Sequence, residues 1–159
     1  MLKSMKENEK IDVLIRHIDH VRDNCILLGE RLLSRNIPLG RILIANGFIH
    51  DNSKFYGIEW EYLTDVSDNK ELMRAAIKQH NQTNQHHPEY WGTIDQMPAV
   101  YTAEMVCDWA ARSSEFGTSL QTWIGEDAAK KFGYTKDSEV YQRLIYYSGL
   151  LCDKPFNPI

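Results

Sequence analysis

Histidine and aspartate stand side by side at His50-Asp51, after an apolar segment and three residues before Lys54. An imidazole nitrogen and a carboxylate oxygen from neighbouring residues can reach one divalent cation if the backbone leaves the regular helix there. The dipeptide alone is common, so its weight depends on its partners. His17 falls on an apolar helical stripe with Val13, Val21 and Leu28, where a histidine is ordinarily a hydrogen-bonded core residue. Asp108 lies within Met105-Val106-Cys107-Asp108-Trp109-Ala110. Burying it is costly unless it is paired or binds metal, and Arg112 at i+4 offers an ordinary salt bridge. His80, Asn84, His86 and His87 form a third group, which otherwise reads as a helix end running into a polar loop before Pro88. Glu59, eight residues after Asp51, and Glu104, on the helical face of Asp108, are candidates for a buttressing acid or a general base. All six histidines lie between residues 17 and 87, which points to a site built mainly by the first half of the chain.

The elements that must position these residues are helical. Val13, Leu14, Ile18, Val21, Cys25, Leu28 and Leu32 recur at steps of three and four, predicting one long amphipathic helix over 8–35. Pro38 opens a second helix with an apolar body at 39–44, and Gly47 is expected to end it. A short helix over 54–63 carries Phe55, Tyr56, Trp60 and Tyr62. Asp68 or Asn69 caps a helix from 70 to about 82. Pro88 argues against its continuation. A helix over 98–115 follows, then a looser segment to Gly133, then a last helix over 137–151 capped by Asp137 or Ser138, with Val140, Leu144, Tyr147 and Leu151 inward. Alternating strand patterns are absent. The predicted class is all-α, a single domain over 1–159 with about six to seven helices, a motif-bearing core at 8–115 and a C-terminal helical extension at 116–159.

The 159 residues are 43% apolar and 25% charged, the balance of a globular chain with a real core. No apolar run approaches the roughly 20 residues of a membrane span, and the N-terminal MLKSMKENEK lacks the apolar centre of a signal peptide. The net charge of −4 disfavours a nucleic-acid polymer as partner. Cys25, Cys107 and Cys152 are odd in number and widely spaced, which reads as reduced, buried thiols. Together these predict a cytoplasmic protein without a membrane partner.

In order, the chemical residues spell H…HD…H…HH…D. His17 with Val21, His50-Asp51-Asn52-Ser53-Lys54, His80, His86-His87 and Asp108 together resemble the HD-domain superfamily of metal-dependent phosphohydrolases. The segment Asn84-x-His86-His87-Pro88-Glu89-Tyr90-Trp91 is also similar to a small, uncharacterised HD-like group of bacteria and phages. The resemblance implies a helical bundle around a central divalent cation held by His17, His50, Asp51 and Asp108. His20 competes with His17; Val21 and Cys25, small and apolar at +4 and +8, favour His17. Nitrogen and oxygen donors suit Mn, Fe, Co, Ni or Zn, with Mg a further option. Relatives with two metals use further histidines, here His80 and one of His86 or His87. The short His80–His87 spacing leaves open whether these, with Asn84 and Arg112, hold a second metal or contact substrate.

The chemistry implied is hydrolysis of a nucleotide or other small phosphate ester, with the cation lowering the pKa of its bound water. Asp51 would bridge metal and water, and Lys54 and Arg112 would stabilise phosphoryl charge. Trp91, Tyr90 and Trp109 would offer an aromatic wall unless they are simply core. Lys54 has a bland alternative, a surface pair with Glu59 or Glu61. Two other functions stay open: a di-iron oxygenase of the HD type, and a non-catalytic module with a structural metal or a protein partner. The sequence does not set the oligomeric state.

Overall fold

A computed structural model describes residues 2–152, with side chains from Glu9 onward. The last seven residues of the extension expected over 116–159 lie outside the described residues. Six helices of eight or more residues account for most of the described chain: α1 (Leu2–Leu33), α2 (Ile37–Ile49), α3 (Gly57–Thr64), α4 (Lys70–Thr83), α6 (Ala99–Phe116) and α9 (Glu139–Cys152). Between them lie the short segments α5 (Pro88–Trp91), α7 (Leu120–Thr122) and α8 (Ala128–Phe132). The described residues contain no strand, and none of their helices is long and apolar enough to cross a membrane.

Capping chemistry explains several boundaries. Asn36 accepts from the Leu39 amide at the start of α2, and Pro38 occupies its first turn. Asn69 accepts from the Glu71 and Leu72 amides and starts α4. Ser138 accepts from the Tyr141 amide and starts α9. The expected end of α2 at Gly47 is a correction. The helix continues to Ile49, and Gly47 is buried within it. A Cβ on Gly47 would lie 2.7 Å from the Cys25 Cβ, so this glycine serves close approach rather than helix termination. Gly40 does the same at the other end, where a Cβ would lie 2.5 Å from the Gly29 carbonyl oxygen. α1 and α2 therefore form a tight antiparallel pair. The short helix expected over 54–63 is broken in two, a 3-10 turn at Asn52–Phe55 and then α3, with Tyr56 in extended conformation between them.

The apolar core joins Val21, Cys25, Leu28 and Leu32 of α1, Leu43 of α2, Met105, Val106 and Ala111 of α6, and Leu144 and Tyr147 of α9. Residues 120–132 run as one helical stretch with a π turn at Trp123–Asp127. Tyr134 anchors that stretch, its hydroxyl donating to the Ile124 carbonyl at 2.6 Å. Trp109 packs on Trp123 and Phe132, so it is core and not a wall of the site. Cys25 and Cys107 are buried, as expected; Cys152 is exposed near the end of α9, which corrects the expectation for the third thiol.

Candidate metal centre

Three helices and one loop converge beside α6. α1 brings His17, the end of α2 brings His50 and Asp51, α4 brings His80, and the loop before α5 brings His86 and His87. α6 faces them with Glu104, Asp108 and Glu115. The backbone leaves α2 at His50, and Asp51 follows with φ 57 in the left-handed region. An aspartate tolerates that conformation better than most residues, though at a cost, and here it turns the carboxylate back toward the imidazole. The loop is held by Trp91, whose indole N–H donates to the Gln85 carbonyl at 2.8 Å. The Asn84 side chain donates to the His80 carbonyl at 2.9 Å and closes the end of α4. The helix stops at Thr83, yet Asn84 still reaches His80 and Ser53.

Each of three histidines is gripped from behind by a glutamate. His17 Nδ1 lies 2.9 Å from Glu115 Oε1, His50 Nδ1 2.9 Å from Glu104 Oε1, and His80 Nδ1 2.5 Å from Glu59 Oε1. A carboxylate can only accept, so Nδ1 carries the proton in each pair and Nε2 is turned inward. Inward, each Nε2 meets a carboxylate oxygen: His17 to Asp108 at 3.0 Å, His80 to Asp51 at 3.2 Å, and His50 to Asp51 at 3.5 Å. His86 Nε2 lies 3.4 Å from Asp51 Oδ1 and 3.9 Å from Asp108 Oδ2. A ring whose proton is already given to glutamate faces these oxygens lone pair to lone pair. Something positive belongs between them, either a second proton on the ring or a cation.

Polar satisfaction points the same way. His50 Nε2, Asp51 Oδ1, His86 Nε2 and His87 Nε2 are buried without a hydrogen-bond partner. Such groups are rare in folded proteins, and four in one cluster call for a shared partner. The ligand atoms of His17, His50 and Asp51, of His50, His86 and Asp108, and of His80, His86 and His87 lie within 4.8 Å of one another in each set. These buried groups could hold a metal ion, and imidazole and carboxylate donors fit a divalent transition metal. Charge balance agrees. Asp51, Glu59, Glu104, Asp108 and Glu115 meet two fixed cations among the described residues, Lys54 on Asp51 and Arg112 on Glu115.

Burial works against the ionised form of Asp51, but His50 and then Lys54 overcome it and hold the carboxyl well below the usual range. Burial likewise opposes the Asp108 carboxylate, and the hydrogen bond with His17 together with the charges of His50 and His86 holds the carboxyl below its usual range. For His50 burial opposes the cation, yet Asp51 and the bond to Glu104 carry its pKa up to about 9. His87 is pushed down to about 3 by burial and by its neighbours His86 and His80, so it stays neutral and keeps a lone pair.

The sequence-predicted residues are placed as follows. His17, His50, Asp51 and Asp108 come together, with His86 beside them. His17 rather than His20 enters the cluster; the His20 side chain is 36% exposed and approaches Glu115 at 3.6 Å. Lys54 Nζ binds Asp51 Oδ2 at 2.8 Å, not Glu59 or Glu61, and this leaves Oδ1 for the cluster. Glu59 is buried against His80, and Glu104 against His50. Arg112 pairs with Glu115 at 3.3 Å, so the expected bridge to Asp108 is replaced by one a turn further along. Glu115 was missed by the sequence reading, although it lies seven residues beyond Asp108 and eleven beyond Glu104, on the same face of α6.

Two cavities flank the cluster. One of about 520 Å³ is reached by Lys54, Glu59, His80 and Arg112. The other, of about 340 Å³, is reached by His50, Asp51, Asn84, His86 and Glu104. No curated protein and no solved structure matches the chain. Residues 6–145 match a family described as a family of unknown function (DUF5662), and the chain belongs to that family.

Proposed function

We propose that this member of DUF5662 is a metal-dependent phosphohydrolase acting on a small phosphate ester. The observation that carries the reading is the convergence of His50 Nε2, Asp51 Oδ1 and His86 Nε2, all buried and unpartnered, with fixed cations at the rim. The resemblance of the H…HD…D order to HD-domain phosphohydrolases supports the same conclusion. His17, His50, Asp51 and Asp108 would hold the first ion, with His86 in reach. His80, His86 and His87 would be the donors for a second, beside Asp51, whose Oδ1 lies 3.2 Å from His80 Nε2.

A bound divalent ion supplies Lewis acidity, lowering the pKa of water and drawing charge from a phosphoryl oxygen. The chain supplies the rest. Glu59, Glu104 and Glu115 fix the tautomer and direction of His80, His50 and His17, so that Nε2 points inward before any ligand arrives. Lys54, held by Asp51 and 21% exposed, presents a cation where charge develops on the phosphoryl group. Arg112 stands at the same cavity and can do likewise. Water adds at phosphorus, the ester P–O bond breaks, and the alcohol leaves with a proton while inorganic phosphate remains.

Metal analysis of the purified protein, followed by a phosphoester and nucleotide panel with Mn, Co, Ni and Mg, tests the proposal. Turnover that depends on an added ion and disappears in Asp51→Ala supports it. Stoichiometric metal with no turnover across the panel would leave a structural-metal module in its place. Two irons with a visible absorption band would favour the oxygenase chemistry.

A further inference from the structure

The two cavities differ in chemistry, and the difference bears on what is esterified to the phosphate. The smaller one is walled by His50 and His86 of the cluster, by the carboxylates of Asp51 and Glu104, and by amides and hydroxyls such as Asn84 and Thr83. No lysine or arginine among the described residues lines it. Lys54 and Arg112, the two fixed cations beside the cluster, both open onto the larger one. An anionic head is therefore drawn to the larger cavity, which His80 and Glu59 also line and which His80 connects to Asp51, its Nε2 lying 3.2 Å from Asp51 Oδ1.

Beyond that cationic end the wall turns apolar. Val13 and Leu14 of α1, Tyr62 and Leu63 of α3, and Ala76 and Ile77 of α4 face the space. Leu14 and Ala76 are buried behind it, and Val13 and Ile77 stand half-exposed at its sides. Lys10 at the rim is engaged elsewhere, donating to the Asp65 carbonyl at 2.7 Å and lying 4.9 Å from the Tyr62 ring centroid. Its ammonium thus braces the end of α3. A volume of about 520 Å³ is within the range of small-ligand sites. Glu9 and Asn81 are further polar groups of the lining, but a ribose or a sugar laid along the apolar wall would bury hydroxyls against methyl groups. An alkyl or aryl body would lose water from its apolar surface at no such cost.

We propose that the larger cavity binds the organic part of the substrate, and that the substrate class is the phosphate monoester of an apolar alcohol rather than a nucleotide. The inference rests on the phosphohydrolase reading for its phosphate end, whereas the apolar wall stands independently of turnover.

The test is binding of a non-hydrolysable series, methyl-, butyl- and hexylphosphonate, to the metal-loaded protein by titration calorimetry, with AMP as comparison. Affinity should rise with chain length, by up to about fourfold per buried methylene, and hexylphosphonate should outbind AMP. Ile77→Asn, at a half-exposed wall position that tolerates a polar side chain, should flatten the slope while leaving methylphosphonate affinity unchanged. Ala76→Trp should block butyl and hexyl members if it folds; Ile77→Asn carries the test if it does not. Arg112→Met should weaken all members by a common factor and preserve the slope. Affinity independent of chain length, binding tightest for AMP, a slope untouched by Ile77→Asn, or no binding of any member would overturn the inference. The parallel hydrolysis assay separates the two readings. A chain-length slope in binding without hydrolysis of hexyl phosphate would remove the hydrolase and leave the ligand class. Turnover of phosphate esters with no slope would do the reverse.

Discussion

The two sides of α6 bury their groups by opposite means. Toward the C-terminal half, Met105 and Val106 pack against a region that includes Ile124, Leu144 and Tyr147, and the Tyr134 hydroxyl finds the Ile124 carbonyl. Toward α1, α2 and α4, Glu104, Asp108 and Glu115 face His17, His50 and His86 in a cluster with unpartnered atoms. The apolar side has one unpartnered buried atom among the described residues, Trp123 Nε1, amid aromatic rings. A lone orphan is a local cost. Four that converge, with His50 backed by Glu104 and Asp51 by Lys54, mark a place where the fold keeps polar groups at a cost in stability.

The sharpest break in this comparison is a substitution on each side. Leu144→Ala should destabilise the protein by about 2–5 kcal/mol, the range for a buried leucine, because it leaves a cavity in a well-packed core. Metal per folded molecule and turnover per folded molecule should not change. Asp51→Ala should do the opposite. Bound metal should drop to background, and turnover should fall by about 10³-fold or more, the loss of several kcal/mol of Lewis-acid help. Thermal melts, metal content and rates measured on both variants check the pair. Loss of metal in Leu144→Ala with intact folding would show that the two sides are not independent.

The same contrast explains what could be read from the chain. The helices and their apolar faces were legible because burial repeats at three and four, so Val140, Leu144, Tyr147 and Leu151 were assigned inward and are inward. The caps were legible to within a residue, Asp68 or Asn69 and Asp137 or Ser138, because such side chains act locally, and Asn69 and Ser138 are the ones that accept. Gly47 was misassigned because a glycine near a helix end and a glycine at a helix crossing look alike until the partner, Cys25, is known. At the site, the order H…HD…H…HH…D singled out the inward residues, including Asp108 within an apolar run. What it did not give was the backing. Glu115 meets His17 across 98 residues, and nothing local to either announces the pair. The partner of Lys54 was missed for the reverse reason. The 3-10 turn over Asn52–Phe55 brings Lys54 back to Asp51, three residues away, and not to Glu59 or Glu61, the surface partners that spacing offers.

Smaller effects sharpen the assignment of roles within the polar side. Lys54→Met removes a cation that touches Asp51 through Oδ2 and leaves Oδ1 in place. Turnover should fall by about 10²-fold, as for other preorganised donors, with metal occupancy near wild type. Equal loss of metal and turnover would make Lys54 a support for Asp51 and nothing more. Glu59→Gln is milder. It replaces the acceptor of the His80 Nδ1 proton by a group that can present either oxygen or N–H, and it should cost about 10–100-fold in affinity for an ion that uses His80. If two ions bind, the weaker should be lost first, which competition with a chelator would resolve.

The smallest expected effect is also the most diagnostic of direction. In the metal-free protein His50 is held up to about 9, because Asp51 and Glu104 outweigh the cost of burying its charge. A folded pKa above the ordinary value of about 6.5 means that the folded chain binds the proton more tightly than the unfolded one. That contribution to stability is fully present below about pH 6.5 and is lost as pH rises through about 9. His87, depressed to about 3, acts outside this window: its penalty grows only as pH falls below about 6.5. A metal at Nε2 must displace the His50 proton, so its affinity runs the other way, rising by up to about tenfold per pH unit until about pH 9 and then levelling. Melts of the metal-free protein should therefore decline from pH 7 to 10 while metal affinity climbs. Calorimetry at pH 7 in two buffers of different ionisation heat should count about one proton released from His50 per ion bound. If no proton is released, the ion does not contact His50 Nε2, and the cluster's unpartnered atoms need another explanation.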